Sequence, residues 1–261
     1  MASTGYSIRL GRLFNSETGR SFITAVDHGV TIGVPAGAEN IVATLEKIVA
    51  GSPDAVLVSP GTLEKAGQVF ARRGSPSPIV RADWIINDPY INDLGEGYRV
   101  LITPSEALAL GADAVVMFLM IGANDGQLFA DNVRAVAQGA QEAHRVGLPL
   151  IVEVVLWGTR IEDKKDADRL AWGSRMAVEL GADAIKTEYT GDPESMRKII
   201  DTCGAPVLLL GGSKSSNPEA LWQGTRAAIE AGAKGVIYGR NVWQADDPVG
   251  VSRRLREIIH G

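Results

Sequence analysis

The 261-residue sequence holds one cysteine, Cys203, and three histidines. A single thiol forms no intrachain disulfide and points to no oxidising compartment, and with no activating partner in sight Cys203 reads as a small residue near a helix end. Three histidines, with no C-x-x-C and no H-E-x-x-H, are too few for a typical zinc site, so neither a metal nor a cofactor is expected. No apolar run is long enough to cross a bilayer: the longest, 114 to 121 and 148 to 157, fall well short and contain or adjoin polar residues. The N-terminal stretch MASTGYSIRLGRLF lacks a continuous apolar segment of the kind a secretory signal needs, and a cytoplasmic protein is expected. Cations are not in excess either. With 26 Lys and Arg against 31 Asp and Glu, the formal charge is -5, which gives no reason to expect nucleic acid or an anionic membrane as partner.

The composition, 45% hydrophobic and 22% charged, is that of a globular protein able to bury a sizeable core. Short β-branched runs recur along it. Eight strand candidates lie at 22–29, 54–60, 78–84, 113–120, 149–157, 183–189, 206–212 and 235–240, most of them apolar on both parities, as parallel strands covered on two faces are. Helical segments fill the gaps at 40–50, 60–72, 104–110, 127–146, 165–180, 193–203, 218–231 and 248–259. Several open with proline after a capping residue, as in Thr103-Pro104, Asp192-Pro193, Asn217-Pro218 and Asp247-Pro248. Eight such alternations predict an α/β fold, a (β/α)8 TIM barrel forming a single domain over residues 1–261. The phrases LGADAVV, LGADAIK and AGAKGVI echo one another, each with a glycine at a helix C-cap feeding a strand. A doubly wound open sheet fits less well, because TAVDHGVTIG after the first strand is not the G-x-G-x-x-G of a dinucleotide site. One connection, 85 to 102, is unusually long and rich in Asn, Asp and Gly, which suggests a substrate lid or an oligomer contact.

In such a barrel the chemistry sits at the C-terminal ends of the strands. Lys186 lies inside the apolar run DAIKTEY. Burial there disfavours the ammonium form, and the free amine is expected to attack a ketone or aldehyde to form a Schiff base. A purely structural lysine would instead pair with a strand-end carboxylate. Asp27 and His28 end the first strand, where Asp27 can move protons, bind a substrate hydroxyl or form an ion pair with Lys186, and His28 can assist or simply satisfy its loop. Glu153 and Trp157 belong to the fifth strand, Arg81 and Asp83 to the third, Glu188 and Tyr189 to the sixth. Arg81 and Asp83 are placed to read a polar group of a substrate. Two glycine-rich stretches follow the last two strands: Gly211, Gly212 and Ser213 in one, Gly239 and Arg240 in the other. Backbone N–H groups, a hydroxyl and a guanidinium at those strands suit a phosphate.

The phrases AVDHG (25–29), SEALALGADAVV (105–116), ELGADAIKTEYTGDP (179–193), GGSK (211–214) and YGRNVWQ (238–244) span nearly the whole chain. Through them it resembles the DhnA/DeoC-like family of Schiff-base aldolases, which includes the archaeal-type class I fructose-bisphosphate aldolases. The resemblance implies Lys186 as the imine-forming lysine, Asp27 as a catalytic or substrate-contacting carboxylate, the two glycine stretches as the phosphate clamp, and homo-oligomers, often of high order. One departure stands out. The archaeal aldolases carry a tyrosine acid/base at the end of strand five in a phrase like YPRG, whereas EVVLWGTR (153–160) has Val155, Leu156 or Trp157 near that place. Proton transfer then falls to Asp27, His28, Glu153 or Tyr189, or the substrate differs from fructose bisphosphate.

The expected activity is class I aldol cleavage or formation in a phosphorylated ketose-like substrate. The alternative is a transferase of the same fold, either a coenzyme A-dependent thiolase acting on a phosphorylated diketone or a transaldol-type synthase, as relatives bearing the same lysine are. A barrel that isomerises or binds a sugar phosphate without covalent chemistry is the third reading.

Overall fold

Each strand candidate resolves into a short, fully paired strand. The computed structural model describes residues 3–87 and 90–261. Eight parallel strands close into a barrel: β1 (Ser21–Ala25), β2 (Ala55–Val58), β3 (Ser77–Arg81), β6 (Ala114–Ile121), β7 (Leu150–Leu156), β8 (Ala184–Thr187), β9 (Val207–Leu210) and β10 (Gly235–Tyr238). Round the barrel they run β1-β10-β9-β8-β7-β6-β3-β2. The outer layer includes α2 (Ile41–Ala50), α3 (Pro60–Ala66), α4 (Pro104–Ala109), α5 (Gly126–Val146), α6 (Ala167–Glu179), α7 (Pro193–Cys203), α8 (Pro218–Glu230) and α10 (Pro248–His260). Their apolar sides and the outward strand residues, such as Val152, Val154 and Ile185, make the larger core. The inward residues Ile23, Leu57, Ile79, Val116, Ile151, Leu208 and Ile237 fill the barrel's lumen. Among the described residues, no helix is long and apolar enough to cross a membrane.

The repeated LGAD phrase has a structural cause. Gly181 takes a left-handed conformation (φ 108°) that turns the chain from α6 toward β8. Asp183 then accepts the Leu150 N–H at 2.7 Å, tying β8 to β7 at their N-terminal ends. Asp54 does the same for the Phe22 N–H, also at 2.7 Å.

Three features depart from the sequence reading. The N-terminal segment forms a helix, α1 (Thr4–Leu13), capped by Ser3, that closes the bottom of the barrel. Leu13 enters the lumen cluster, and the Tyr6 hydroxyl donates to Asp183 at 2.6 Å. The helix expected at 60–72 stops at Ala66 and tightens into a 3-10 turn over Gly67–Val69, and the helix expected from 165 starts at Ala167 because Asp166 caps it. The third strand also ends early. Arg81 is its last barrel residue, and Asp83–Ile85 (β4) turns out of the barrel to pair antiparallel with Tyr98–Val100 (β5).

The long connection is therefore built around a hairpin. Its Glu96 carboxylate accepts from the backbone N–H groups of Asn124 (2.6 Å) and Thr159 (2.8 Å), fastening the hairpin to the loops after β6 and β7. Replacing Leu13 by alanine removes the apolar plug beneath the lumen and is expected to lower unfolding free energy by about 2–5 kcal/mol. Urea denaturation measures it, and a midpoint equal to that of the unaltered protein contradicts the plug.

Candidate active site

Strand parity decides which side chains meet at the barrel's upper end. Along β7, Ile151, Glu153 and Val155 point inward while Val152 and Val154 face the helices; along β8, Lys186 follows inward-facing Ala184. The register sets Phe118 beside Glu153 and Glu153 beside Lys186. Lys186 is 6% exposed, and its Nζ lies 2.8 Å from Glu153 Oε2. The burial expected from sequence is thus present, and the carboxylate beside the amine supplies a proton acceptor.

Arg81 is the second buried cation, only 1% exposed. Its Nε donates to Asp27 Oδ2 at 2.9 Å, its Nη2 meets Glu153 Oε2, and its Nη1 lies 3.5 Å from Asp83 Oδ1. The guanidinium carbon stacks 3.8 Å above the centre of the Phe118 ring. Lys186, Glu153, Arg81 and Asp27 therefore alternate in sign along one chain of contacts. Buried charges are tolerated when paired in this way, each unpaired ion costing several kcal/mol.

Arg81 lines the cavity with three carboxylates around its guanidinium, whose Nη1 has no hydrogen-bond partner among the described residues. One expectation is corrected. Asp27 takes Arg81, not Lys186, as its ion-pair partner.

The electrostatics follow from the same contacts. Burial works to raise the Asp27 carboxyl, but Arg81 and then Lys186 outweigh it and hold the group below the ordinary range. Burial likewise opposes Glu153, and Lys186 followed by Arg81 reverses the balance. Asp83 differs. It lies fully buried behind Arg81, accepts the Phe118 N–H at 2.7 Å, and burial pushes it up to about 7 against the pull of Arg81. Burial also lowers the His28 imidazole to about 4 despite the Asp27 carboxylate, so the ring is neutral at pH 7. His28 Nδ1 sits 4.0 Å from Asp27 Oδ1, with the ring edge-on to Trp243 at 5.3 Å.

A cavity of about 400 Å³ opens above this chain of charges. Asp27, His28, Glu153 and Lys186 line it, with Arg81 at its floor and Trp157 and Glu188 on its side. Gly211, Gly212 and Ser213 contribute from the β9 loop, and Gly239 and Arg240 from the β10 loop. Asp83 and Tyr189 stand apart from it. Tyr189 turns toward the outer layer, where its ring lies against Gly224 of α8.

Gly239 is dictated by contact: a Cβ there would fall 2.5 Å from His28 Cε1 and 2.7 Å from the Ala25 carbonyl oxygen. Arg240 begins a four-residue helix, α9 (Arg240–Trp243), and its buried Nε has no hydrogen-bond partner among the described residues. Burial lowers the pKa of its guanidinium.

Sequence reasoning missed Asn241, whose amide donates to the Gly211 (2.6 Å) and Ser213 (3.2 Å) carbonyls while its oxygen accepts the Ser215 N–H at 2.7 Å. It fixes one glycine stretch to the other. The only sequence signal for it was its place inside GRNVWQ. Phe118, Val155 and Ile85 also line the cavity and carried no polar group to betray them, and Lys164, one of the charged run at 162–166, reaches it too. Among the described residues, no group of three or more His, Cys, Asp or Glu side chains is arranged to hold a metal ion.

The profile of the DeoC/LacD family aldolases matches residues 21–245. The chain belongs to this family. An uncharacterised aldolase of Saccharolobus solfataricus is 36% identical over 98% of this chain and 94% of its own length. The 2-amino-3,7-dideoxy-D-threo-hept-6-ulosonate synthase of Halobacterium salinarum is 33% identical over 100% and 93%. Among solved structures, an archaeal fructose 1,6-bisphosphate aldolase superposes with a TM-score of 0.84 at 30% identity, covering 98% of this chain and 99% of the other. An archaeal aldolase with its catalytic lysine bound to a carbinolamine intermediate gives the same score and identity.

For this DeoC/LacD family aldolase the buried carboxylates make a pH prediction. Asp27 and Glu153, held low, stabilise the fold above about pH 4 and lose that contribution as the pH falls further. Asp83, raised to about 7, keeps a proton in the folded state that the unfolded chain has lost above about pH 4, so it costs stability progressively between about pH 4 and 7. Asp83→Asn is expected to flatten the decline across that window in urea unfolding series. Parallel curves for variant and parent contradict the assignment.

Proposed function

We propose that the chain is a Schiff-base aldolase that breaks or forms a carbon-carbon bond in a phosphorylated ketose-like substrate, with Lys186 as the nucleophile. The observation that carries this reading is a buried lysine with a carboxylate at 2.8 Å, set in the wall of a cavity whose neighbouring strand ends offer an anion clamp. Membership of the aldolase family and likeness to an archaeal aldolase with a carbinolamine on its catalytic lysine support it.

In the cleavage direction, Glu153 takes a proton from the Lys186 ammonium so that the free amine attacks the substrate carbonyl, hands that proton to the new oxygen, and relays a second from the nitrogen to the same oxygen as water leaves. The resulting iminium withdraws the electron pair of the adjacent carbon-carbon bond. A base removes the proton of the hydroxyl one carbon further on, an aldehyde leaves, and the enamine is protonated before water releases the second product. With Tyr189 turned away and no phenol lining the cavity among the described residues, the ionised Asp27 carboxylate is the base assigned here. Neutral His28, against Gly239, belongs to the phosphate end. Gly211 to Ser213 and Gly239 with Arg240 hold the phosphate through N–H groups, a hydroxyl and the guanidinium.

A transaldol-type synthase is the second reading, favoured by likeness to the Halobacterium salinarum synthase and to a Streptomyces griseus 2-amino-4,5-dihydroxy-6-oxo-7-(phosphonooxy)heptanoate synthase. It uses the same imine and differs in which acceptor meets the enamine. Borohydride added with dihydroxyacetone phosphate is expected to leave a covalent adduct on Lys186, read by intact mass and peptide mapping, and Lys186→Met is expected to abolish it. An adduct that persists in that variant, or none in the parent protein, overturns the proposal.

A further inference from the structure

Among the described residues, three carboxylates line the cavity: Asp27, Glu153 and Glu188. Arg81 holds Asp27, and Arg81 with Lys186 holds Glu153, whereas Glu188 makes no ion pair or hydrogen bond among the described residues. Its carboxyl is free to meet a ligand. The register that sets Glu153 beside Lys186 continues one residue further, where the Thr187 hydroxyl donates to the Val154 carbonyl at 3.4 Å. Glu188 therefore follows Lys186 at an interval of two along the chain, on the same inward face and about 6–7 Å away, beside Val155 of β7. Both Lys186 and Val155 line the cavity with it. The short Val155 side chain neither donates nor accepts a proton.

The aldol sequence needs two proton transfers away from nitrogen, one at the hydroxyl beside the breaking bond and one at the enamine carbon, which lies only two bonds from Nζ. A group that protonates carbon must itself carry a proton. Asp27 and Glu153 are held below the ordinary range by their cations and are ionised at neutral pH. Burial pushes the Glu188 carboxyl the other way, with Glu153 adding to the rise and Lys165, Lys164 and Lys186 opposing it without cancelling it. Glu188 is also partly exposed, so water at the cavity mouth can restore its proton.

Resting on the reading of Lys186 as the imine-forming residue, we infer that Glu188 is a further catalytic residue: it protonates the enamine carbon in cleavage and removes a proton from that carbon in synthesis. In cleavage the enamine double bond supplies the electron pair of the new C–H bond, and the nitrogen lone pair closes the iminium. Glu188 is left as a carboxylate and takes a proton from water, while Asp27 gives up to water the proton it took from the hydroxyl. In synthesis the C–H electron pair passes into the double bond and the iminium nitrogen recovers its lone pair. The work is thereby divided, with Glu153 at nitrogen, Asp27 at oxygen and Glu188 at carbon.

Two readouts on the full chain separate the carbon step from the imine. Exchange of the hydroxymethyl hydrogens of dihydroxyacetone phosphate in deuterium oxide, followed by proton NMR, reports the first, and borohydride trapping on Lys186 reports the second. The unaltered protein is expected to show both. Glu188→Gln is expected still to be trapped as an adduct while its exchange falls about 10²–10⁴-fold, and Glu188→Ala to regain about tenfold in exchange when formate supplies the missing carboxylate. Exchange as fast as the parent's in either variant without formate overturns the inference and leaves Glu188 as a counter-charge to Lys164 and Lys165. Loss of the adduct from both variants overturns it as well, by placing Glu188 in the imine step or the fold, and so does a parent protein that is trapped but exchanges no hydrogen. A parent protein that gives no adduct removes the aldolase reading itself, so the two failures are distinct.

Discussion

Glu153 pairs with two cations at the buried floor of the cavity, Lys186 on one side and Arg81 on the other. Much of the barrel's upper layer follows from that requirement. A carboxylate with one partner would leave Arg81 or Lys186 uncompensated at a cost of several kcal/mol. Arg81 in turn donates to Asp27 as well as to Glu153, with Asp83 3.5 Å from its Nη1, which has no hydrogen-bond partner among the described residues, and the Phe118 ring covering its face. Replacing such a cluster with well-packed apolar residues is often neutral or stabilising in other proteins, so its presence argues for chemistry more than for stability.

The scaffold serves this cluster by parity and by anchoring. Parallel strands with both faces buried put every second side chain in the lumen, so Glu153, Lys186 and Phe118 share one layer without any special loop geometry. Loops need other means. Asn241 binds the β9 loop to α9 through three hydrogen bonds, and Glu96 fastens the hairpin over the β6 and β7 loops. Both anchors are single polar side chains that satisfy backbone groups, which irregular chain in a crowded site would otherwise leave unpaired.

The barrel was legible because its strands are apolar on both parities and its helices open on proline or a capping residue, signals that depend on neighbouring residues alone. Lys186 was legible for a related reason: a charge in an apolar run is locally conspicuous. What stayed hidden depended on contacts between distant residues. α1 carries no strong apolar stripe, and only Leu13 reaching the lumen and Tyr6 reaching Asp183 give it a place. The end of β3 at Arg81 is set by the turn-out of the hairpin, which no residue in RADW announces. That Arg81 would pair with Asp27, Glu153 and Asp83, and that Tyr189 would turn toward Gly224, required knowing which strands are neighbours in the closed ring. Asn241 acts across thirty positions of sequence on Gly211, and a lone asparagine in a turn gives no sign of that.

The central claim is that Glu153, held ionised between two buried cations, handles the proton of the Lys186 amine. Single-turnover imine formation with dihydroxyacetone phosphate, quenched with borohydride and timed by mass spectrometry, measures that step alone. The account predicts that Glu153→Gln, folded as judged by near-ultraviolet circular dichroism, forms the imine about 10²–10⁴ times more slowly. An unchanged rate in that variant would contradict it.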